Sequence, residues 1–162
     1  MSRSKVKSSI FKRPFDFVLF LFFSLHSIVS VMNCPQFLFG LNQTFGPTLR
    51  ETVQDTRDPV LNLALDINGP PGWIKGIMAG ELFFQLPFFI FACYKLWKDE
   101  PFHVLALVYS THALTAILPV LAFVNTEKGT FDDFVMWNSM YSPFWIIPGL
   151  LFIRSIRFIK IK

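Results

Sequence analysis

WIKGIMAGELFFQLPFFIFACYKLW, residues Trp73 to Trp97, is apolar except for Lys75, Glu81, Gln85 and Lys95. It is long enough to cross the roughly 30 Å hydrocarbon core of a bilayer as one α-helix, which takes about twenty residues. A tryptophan stands at each end, where amphipathic rings anchor a helix at the membrane surface. The short link Lys98-Asp99-Glu100 follows, and a second apolar stretch runs from about Pro101 to Val124. So short a link makes the two helices antiparallel neighbours.

Two more stretches of this kind lie further out, from about Phe15 to Met32 and from about Val135 to Phe158. Together they predict an all-α integral membrane protein, a four-transmembrane-helix bundle with spans at about 15–32, 73–97, 101–124 and 135–158. Of the 162 residues, 52% are hydrophobic, 17% aromatic and only 16% charged. A soluble domain carries about a quarter charged residues. The four spans leave little chain for anything else, so residues 1–162 read as a single membrane domain. No internal repeat or low-complexity tract interrupts it.

The net charge of +4 does not point to nucleic acid. The basic residues flank the outer spans: Arg3, Lys5, Lys7, Lys12 and Arg13 before the first, Arg154, Arg157, Lys160 and Lys162 at the end of the last. Such flanks follow from the positive-inside rule, with contact to anionic lipid as a lesser alternative. Lys95 and Lys98 add to the same side, so both termini are expected in the cytosol. The first span resembles a signal peptide in its basic flank. Its apolar run is longer than an h-region and no small-x-small cleavage site follows, so it reads as a retained helix. Asp16, three residues after Arg13, reads as an ordinary interfacial charge.

Residues 34–72 form the long lumenal connection, with Gly40, Gly46, Pro47, Pro59 and the breaker run Asn68-Gly69-Pro70-Pro71-Gly72. Thr48 to Thr56 is expected as a short helix capped by Thr48. Asn42-Gln43-Thr44 is a glycosylation sequon in this loop. Cys34 and Cys93 fall near opposite membrane faces and are not expected to pair. No metal-ligand spacing is present and no cofactor is implied.

Polar residues inside the spans carry the functional question. Glu81 lies near the middle of its helix, where an acidic residue costs about 2.5–3.5 kcal/mol to insert. Gln85 is one turn on and shares its face. An interhelical hydrogen bond would explain both, as would a ligand or proton-linked site; the second is the favoured reading. The third span carries Tyr109, His112 and Thr115 at i, i+3, i+6, read as one polar stripe facing the same cavity. His26 reads as a satisfied packing histidine. Pro87, Pro119, Pro143 and Pro148 can kink the last three helices and help them enclose a pocket.

Trp73-Ile74-Lys75 with Gly80-Glu81-Leu82-Phe83-Phe84-Gln85-Leu86-Pro87-Phe88-Phe89 resembles the second helix of the sigma-two receptor-like branch of the EXPERA family, four-helix membrane proteins that include sterol isomerases. Asp58-Pro59-Val60-Leu61 is similar to that branch's loop motif, Val108 to His112 with Ile117-Leu118-Pro119 to its third helix, and Tyr141-Ser142-Pro143 with Ile146-Ile147-Pro148 to its fourth. The resemblance implies an endoplasmic-reticulum protein with an intramembrane pocket for sterols and cationic amphiphiles, reached from the bilayer. Glu81 and Gln85 would line that pocket, Asp58 would hold the lumenal loop over it, and Tyr141 and Phe144 would form its wall, Phe144 where the family has tyrosine. In that branch the first helix ends in an aspartate that meets ligand amines. Asn33 is expected at that place here; it brings no negative charge, which implies weaker amine binding. Ile159-Lys160-Ile161-Lys162 lacks the second lysine of a dilysine retrieval signal, so the location rests on the resemblance.

Three functions follow from this reading. The first is a non-enzymatic regulator of intracellular sterol or lipid handling, with a sterol or other lipid as ligand. The second is a quality-control factor at the reticulum membrane, acting on non-imported mitochondrial precursors through other membrane proteins. The third is a sterol-isomerase-type enzyme, for which Glu81 with His112 is the only acid–base pair available. Homodimerisation is implied by the family, and Gly76 with Gly80 offers a weak small-residue seam for it.

Overall fold

The computed structural model describes residues 8–39, 57–66 and 69–160, and every regular element among them is helical. After a 3-10 turn at Ile10–Lys12, α1 covers Pro14–Phe39, with Pro14 at a first-turn position that needs no backbone N–H. It runs a full two turns past Met32. Cys34 and Phe37 lie on its inward face at 1% and 4% exposure, so the helix continues through a run that reads as polar. The connection between α1 and the next helices therefore does not begin at Cys34. Asn42, Gly40, Gly46, Pro47, the Thr48 to Thr56 segment and Asn68 lie outside the described residues.

α2 is Pro59–Ala64, started by Asp58. α3 covers Gly72–Trp97 and α4 His103–Thr126. The turn Glu81–Gln85 within α3 is a π-turn, in which the Leu86 N–H reaches back to the Glu81 carbonyl. Pro87 follows directly. It has no N–H and its ring would crowd the carbonyl four residues earlier, a strain that a widened turn relieves. α5 (Phe131–Tyr141) and α6 (Pro143–Lys160) are parted by Ser142, where Pro143 withdraws a backbone donor. The stretch expected as a fourth span is thus two helical pieces rather than one rod. Among the described residues, three helices, α1, α3 and α4, are long and apolar enough to cross a membrane.

Two apolar clusters hold the helices together. One gathers Leu19, Phe23, Phe89, Ala92, Leu96, Ala106, Tyr109 and Leu151; the other Phe37, Val60, Ala64, Ile74, Val120, Val124 and Trp137. α1 packs chiefly on α3 and α4 on α6, whereas α3 and α4, though joined by a short link, touch only thinly. Phe83, Phe84, Leu25, Ile28 and Val108 point outward. A surface this apolar suits a lipid surrounding rather than water.

Asp16 is no ordinary interfacial charge. It is 7% exposed and pairs with Arg13 at 2.6 Å and with Arg154 of α6. Arg13 also donates to the Leu96 carbonyl at 2.6 Å and lies 3.2 Å from Asp99. One carboxylate thereby clasps the start of α1, the end of α3 and α6 together.

Candidate ligand cavity

Four-residue spacing on α1 puts His26, Ser30 and Cys34 on one face, turned towards α3. Glu81 meets that face. Ser30 donates to Glu81 Oε1 at 2.5 Å, and His26 Nε2 lies 3.2 Å from the same oxygen. The Cys34 thiol lies beside the carboxylate, with Met78 Sδ at 3.9 Å on its other side. A cavity of about 190 Å³ opens against this group, lined by His26, Asn33, Cys34, Glu81, Gln85, Tyr109, Tyr141 and Phe144 among apolar side chains that include Phe37, Ile77 and Ile117.

Several residues singled out from the sequence converge here, and others do not. Asn33 lines the cavity, but it is Cys34, its neighbour on α1, that joins His26 and Ser30 beside Glu81. A step of three residues falls about 60° short of a full helical turn, and Cys34, four beyond Ser30, keeps the alignment that Asn33 loses. Tyr109 is buried, stacked on Phe88 at 4.3 Å. His112 and Thr115 line a separate shallow groove on the outer side of α4, with Leu107, Val108, Thr111 and Ala116. The same 60° drift, accumulated over two steps, carries Thr115 out of the interior, where its hydroxyl donates to the Thr111 carbonyl at 2.9 Å. The expected single stripe is therefore split.

His112 closes the seam between α3 and α4. Its Nδ1 is 3.5 Å from Gln85 Nε2 and its ring stacks on Phe84 at 5.6 Å. It also covers Gly80, where an added Cβ would come within 3.2 Å of the ring, while Gly76 faces open space. Gly80 thus serves a contact inside the chain and not a free small-residue seam.

Asp58 lies outside the cavity lining and is fully buried. It caps α2 by accepting from the Val60 and Leu61 N–H groups at 2.8 and 3.1 Å, and Tyr141 Oη donates to it from α5. Tyr141 itself lines the cavity, so the cap of α2 and the cavity wall share one side chain. His26, Ser30 and Cys34 are the site residues that sequence reading missed. Their regular spacing opposite Glu81 was the available signal.

A larger hollow of about 830 Å³ at the Arg13 end is lined by Arg13, Asp16, Lys95, Asp99, Glu100 and Arg154. Its charges pair with one another, Lys95 with Glu100 at 2.9 Å. With one partly buried carboxylate among mostly apolar walls, the cavity at Glu81 is the better candidate for a ligand site.

A family model described as EXPERA, the expanded EBP superfamily, matches residues 44–155, well over half of the chain. The chain belongs to the EXPERA family. Among curated relatives, this EXPERA protein is 27% identical to sigma intracellular receptor 2 of Homo sapiens over 165 residues, covering 90% of this chain and 89% of the receptor. It is 29% identical to the Macaca fascicularis receptor of the same name over 127 residues, 70% of this chain and 69% of that one. Similarity extends to efficient mitochondria targeting-associated protein 19 of Schizosaccharomyces pombe, 27% identical over 152 residues, 87% of this chain and 77% of the relative. The resemblance to the sigma-two receptor-like branch holds along most of the chain.

Proposed function

We propose that this EXPERA protein is a multi-pass endoplasmic-reticulum membrane protein whose cavity at Glu81 binds a sterol or another lipid, and that it regulates intracellular sterol or lipid handling without catalysis. The observation that carries this reading is a partly buried carboxylate, met by Ser30 and His26, in a cavity whose walls are mostly apolar. Intramembrane carboxylates are costly and persist where they serve a site. In this reading α5 and α6 together make the fourth crossing, and both termini face the cytosol.

The cavity volume limits how a lipid sits. At about 190 Å³ it is smaller than the 300–1,000 Å³ or so of drug-sized ligand sites. A lipid would seat its polar end at Glu81, with its body reaching out through a seam. Ala116 lines both the cavity and the outer groove, which puts such a passage beside it on α4.

Photoaffinity labelling with a sterol probe tests the reading, comparing wild type with Glu81→Gln and Asp58→Asn under excess unlabelled sterol. Competable labelling that falls in Glu81→Gln is expected. Labelling that no sterol competes and neither substitution changes would leave Glu81 as interhelical glue.

The name of the Schizosaccharomyces pombe relative ties that protein to mitochondrial targeting. This supports a second reading, a quality-control factor for non-imported mitochondrial precursors. Crosslinking that recovers no precursor and no reticulum partner would remove it. Isomerase chemistry is a weaker reading here, because His112 lies outside the cavity and the histidine at Glu81 is His26. Rescue of an isomerase-deficient strain would restore it.

A further inference from the structure

The hollow at the Arg13 end is layered. Its rim carries Arg13, Asp16, Lys95, Asp99, Glu100 and Arg154, and its floor includes Phe91, Leu105 and Leu151. Phe91 lies four residues inside Lys95 on α3, and Leu151 lies three inside Arg154 on α6. At 1.5 Å per residue, that sets the apolar floor about 5 Å nearer the middle of the bundle than the charges. Charges near the ends of long apolar helices lie at the membrane surface, and residues a turn further in lie against hydrocarbon. At about 830 Å³ the hollow falls within the range of ligand sites, roughly 300–1,000 Å³.

Each carboxylate on the rim is matched by a cation, but the cations are not used up. Asp16 pairs with Arg13 and Arg154, Asp99 with Arg13 at 3.2 Å, and Glu100 with Lys95 at 2.9 Å. A guanidinium has five N–H donors and an ammonium three. Arg154 meets Asp16 through Nη1 alone, and Lys95 meets Glu100 by one bond. Their other donors have no partner among the described residues. Both side chains are partly open to the outside, at 33% and 25% exposure, so a molecule in the hollow can reach them. Each cation lies over an aromatic ring, Arg154 over Phe15 at 5.1 Å and Lys95 over Phe91 at 5.4 Å, which steadies it at the rim.

We propose that this hollow binds a glycerophospholipid from the surrounding bilayer, its phosphate on Arg154 and Lys95 and the start of its acyl chains over Phe91, Leu105 and Leu151. Arginine and lysine donors make short, charge-assisted hydrogen bonds to phosphate oxygens. The order of such a lipid, phosphate outside and hydrocarbon inside, is the order of the lining. A free phosphate ion would meet the same donors but gain nothing from the floor. A diacylglycerol would cover the floor but leave the donors unmet. The hollow shares no lining residue with the cavity at Glu81, so the proposal stands apart from what that cavity binds.

The test is lipid binding to the delipidated full-length protein in detergent, read by native mass spectrometry. The probes are dioleoylphosphatidylcholine and dioleoylglycerol, which carry the same acyl chains with and without a phosphate. The phospholipid should bind about tenfold tighter or more, the factor expected of one charge-assisted hydrogen bond. Lys95→Met should lose about that factor. Glu100→Gln breaks the same ion pair but leaves the cation, and should bind the phospholipid at least as tightly as wild type. Inorganic phosphate at equal concentration should not displace the lipid. Equal affinity for the two lipids, or equal losses in the two variants, would overturn the proposal. Displacement by inorganic phosphate would overturn the lipid and leave a phosphate site only. The wild-type series decides even if a variant does not fold.

Discussion

Tyr141 Oη donates to both carboxylate oxygens of Asp58, at 2.8 and 3.0 Å, across 83 positions of sequence. Through that bond the cap of α2 is fastened to the end of α5 and to the wall of the cavity. Asp58→Ala removes the cap and the tether together, and should destabilise the protein by about 2–4 kcal/mol. Tyr141→Phe removes only the tether, at about 1–2 kcal/mol. Asp58→Asn should cost least, because asparagine also caps helices and can still accept from the phenol. Thermal unfolding in detergent would rank the three. Equal losses for Asp58→Ala and Asp58→Asn would show that the negative charge matters more than the cap.

Cys34 against Glu81 has a consequence for amine ligands. Cys34→Asp should place a second acid beside Glu81 and raise affinity for a cationic amphiphile roughly tenfold or more, as expected for a charge-assisted hydrogen bond. Asn33→Asp, one residue away on the same helix, should raise it less. Competition binding with a tertiary-amine probe separates them, and a larger gain from Asn33→Asp would return the position to Asn33.

Gly76 and Gly80 should answer differently to one added methyl. Gly76→Ala meets open space and gains helix propensity, up to about 1 kcal/mol. Gly80→Ala presses on His112 and should gain little or lose. A fall in stability for Gly76→Ala, measured by thermal unfolding, would instead mean that a second copy covers that face.

Thr130 and Asp133 make a reciprocal capping box at the start of α5, outside the spans. The Thr130 backbone N–H, and after it the hydroxyl, hold the Asp133 carboxyl below its ordinary value. A lowered value in the folded state means that the stabilisation is present above the usual carboxylate range, near pH 4, and is lost as pH falls through the lowered value. The first-turn amides of α5 should therefore exchange faster below about pH 4, relative to the rest of the helix. Asp133→Asn should remove that pH dependence; an unchanged profile would place its origin elsewhere.

Length and hydropathy alone were enough to read the helical membrane class, three long spans to within a turn or so at most ends, and Glu81 with Gln85 on one face of a helix. These depend on local properties: the apolar length that spans a bilayer, and the angle between neighbours on one helix. Which helix face meets which is a property of packing between distant segments. Only the tertiary structure could put His26, Ser30 and Cys34 opposite Glu81, turn Thr115 outward, bury Asp16 between two arginines and break the last span at Pro143. In each case the outcome hangs on a partner far away in sequence, or on a few tens of degrees of helix rotation, and neither is written in local pattern.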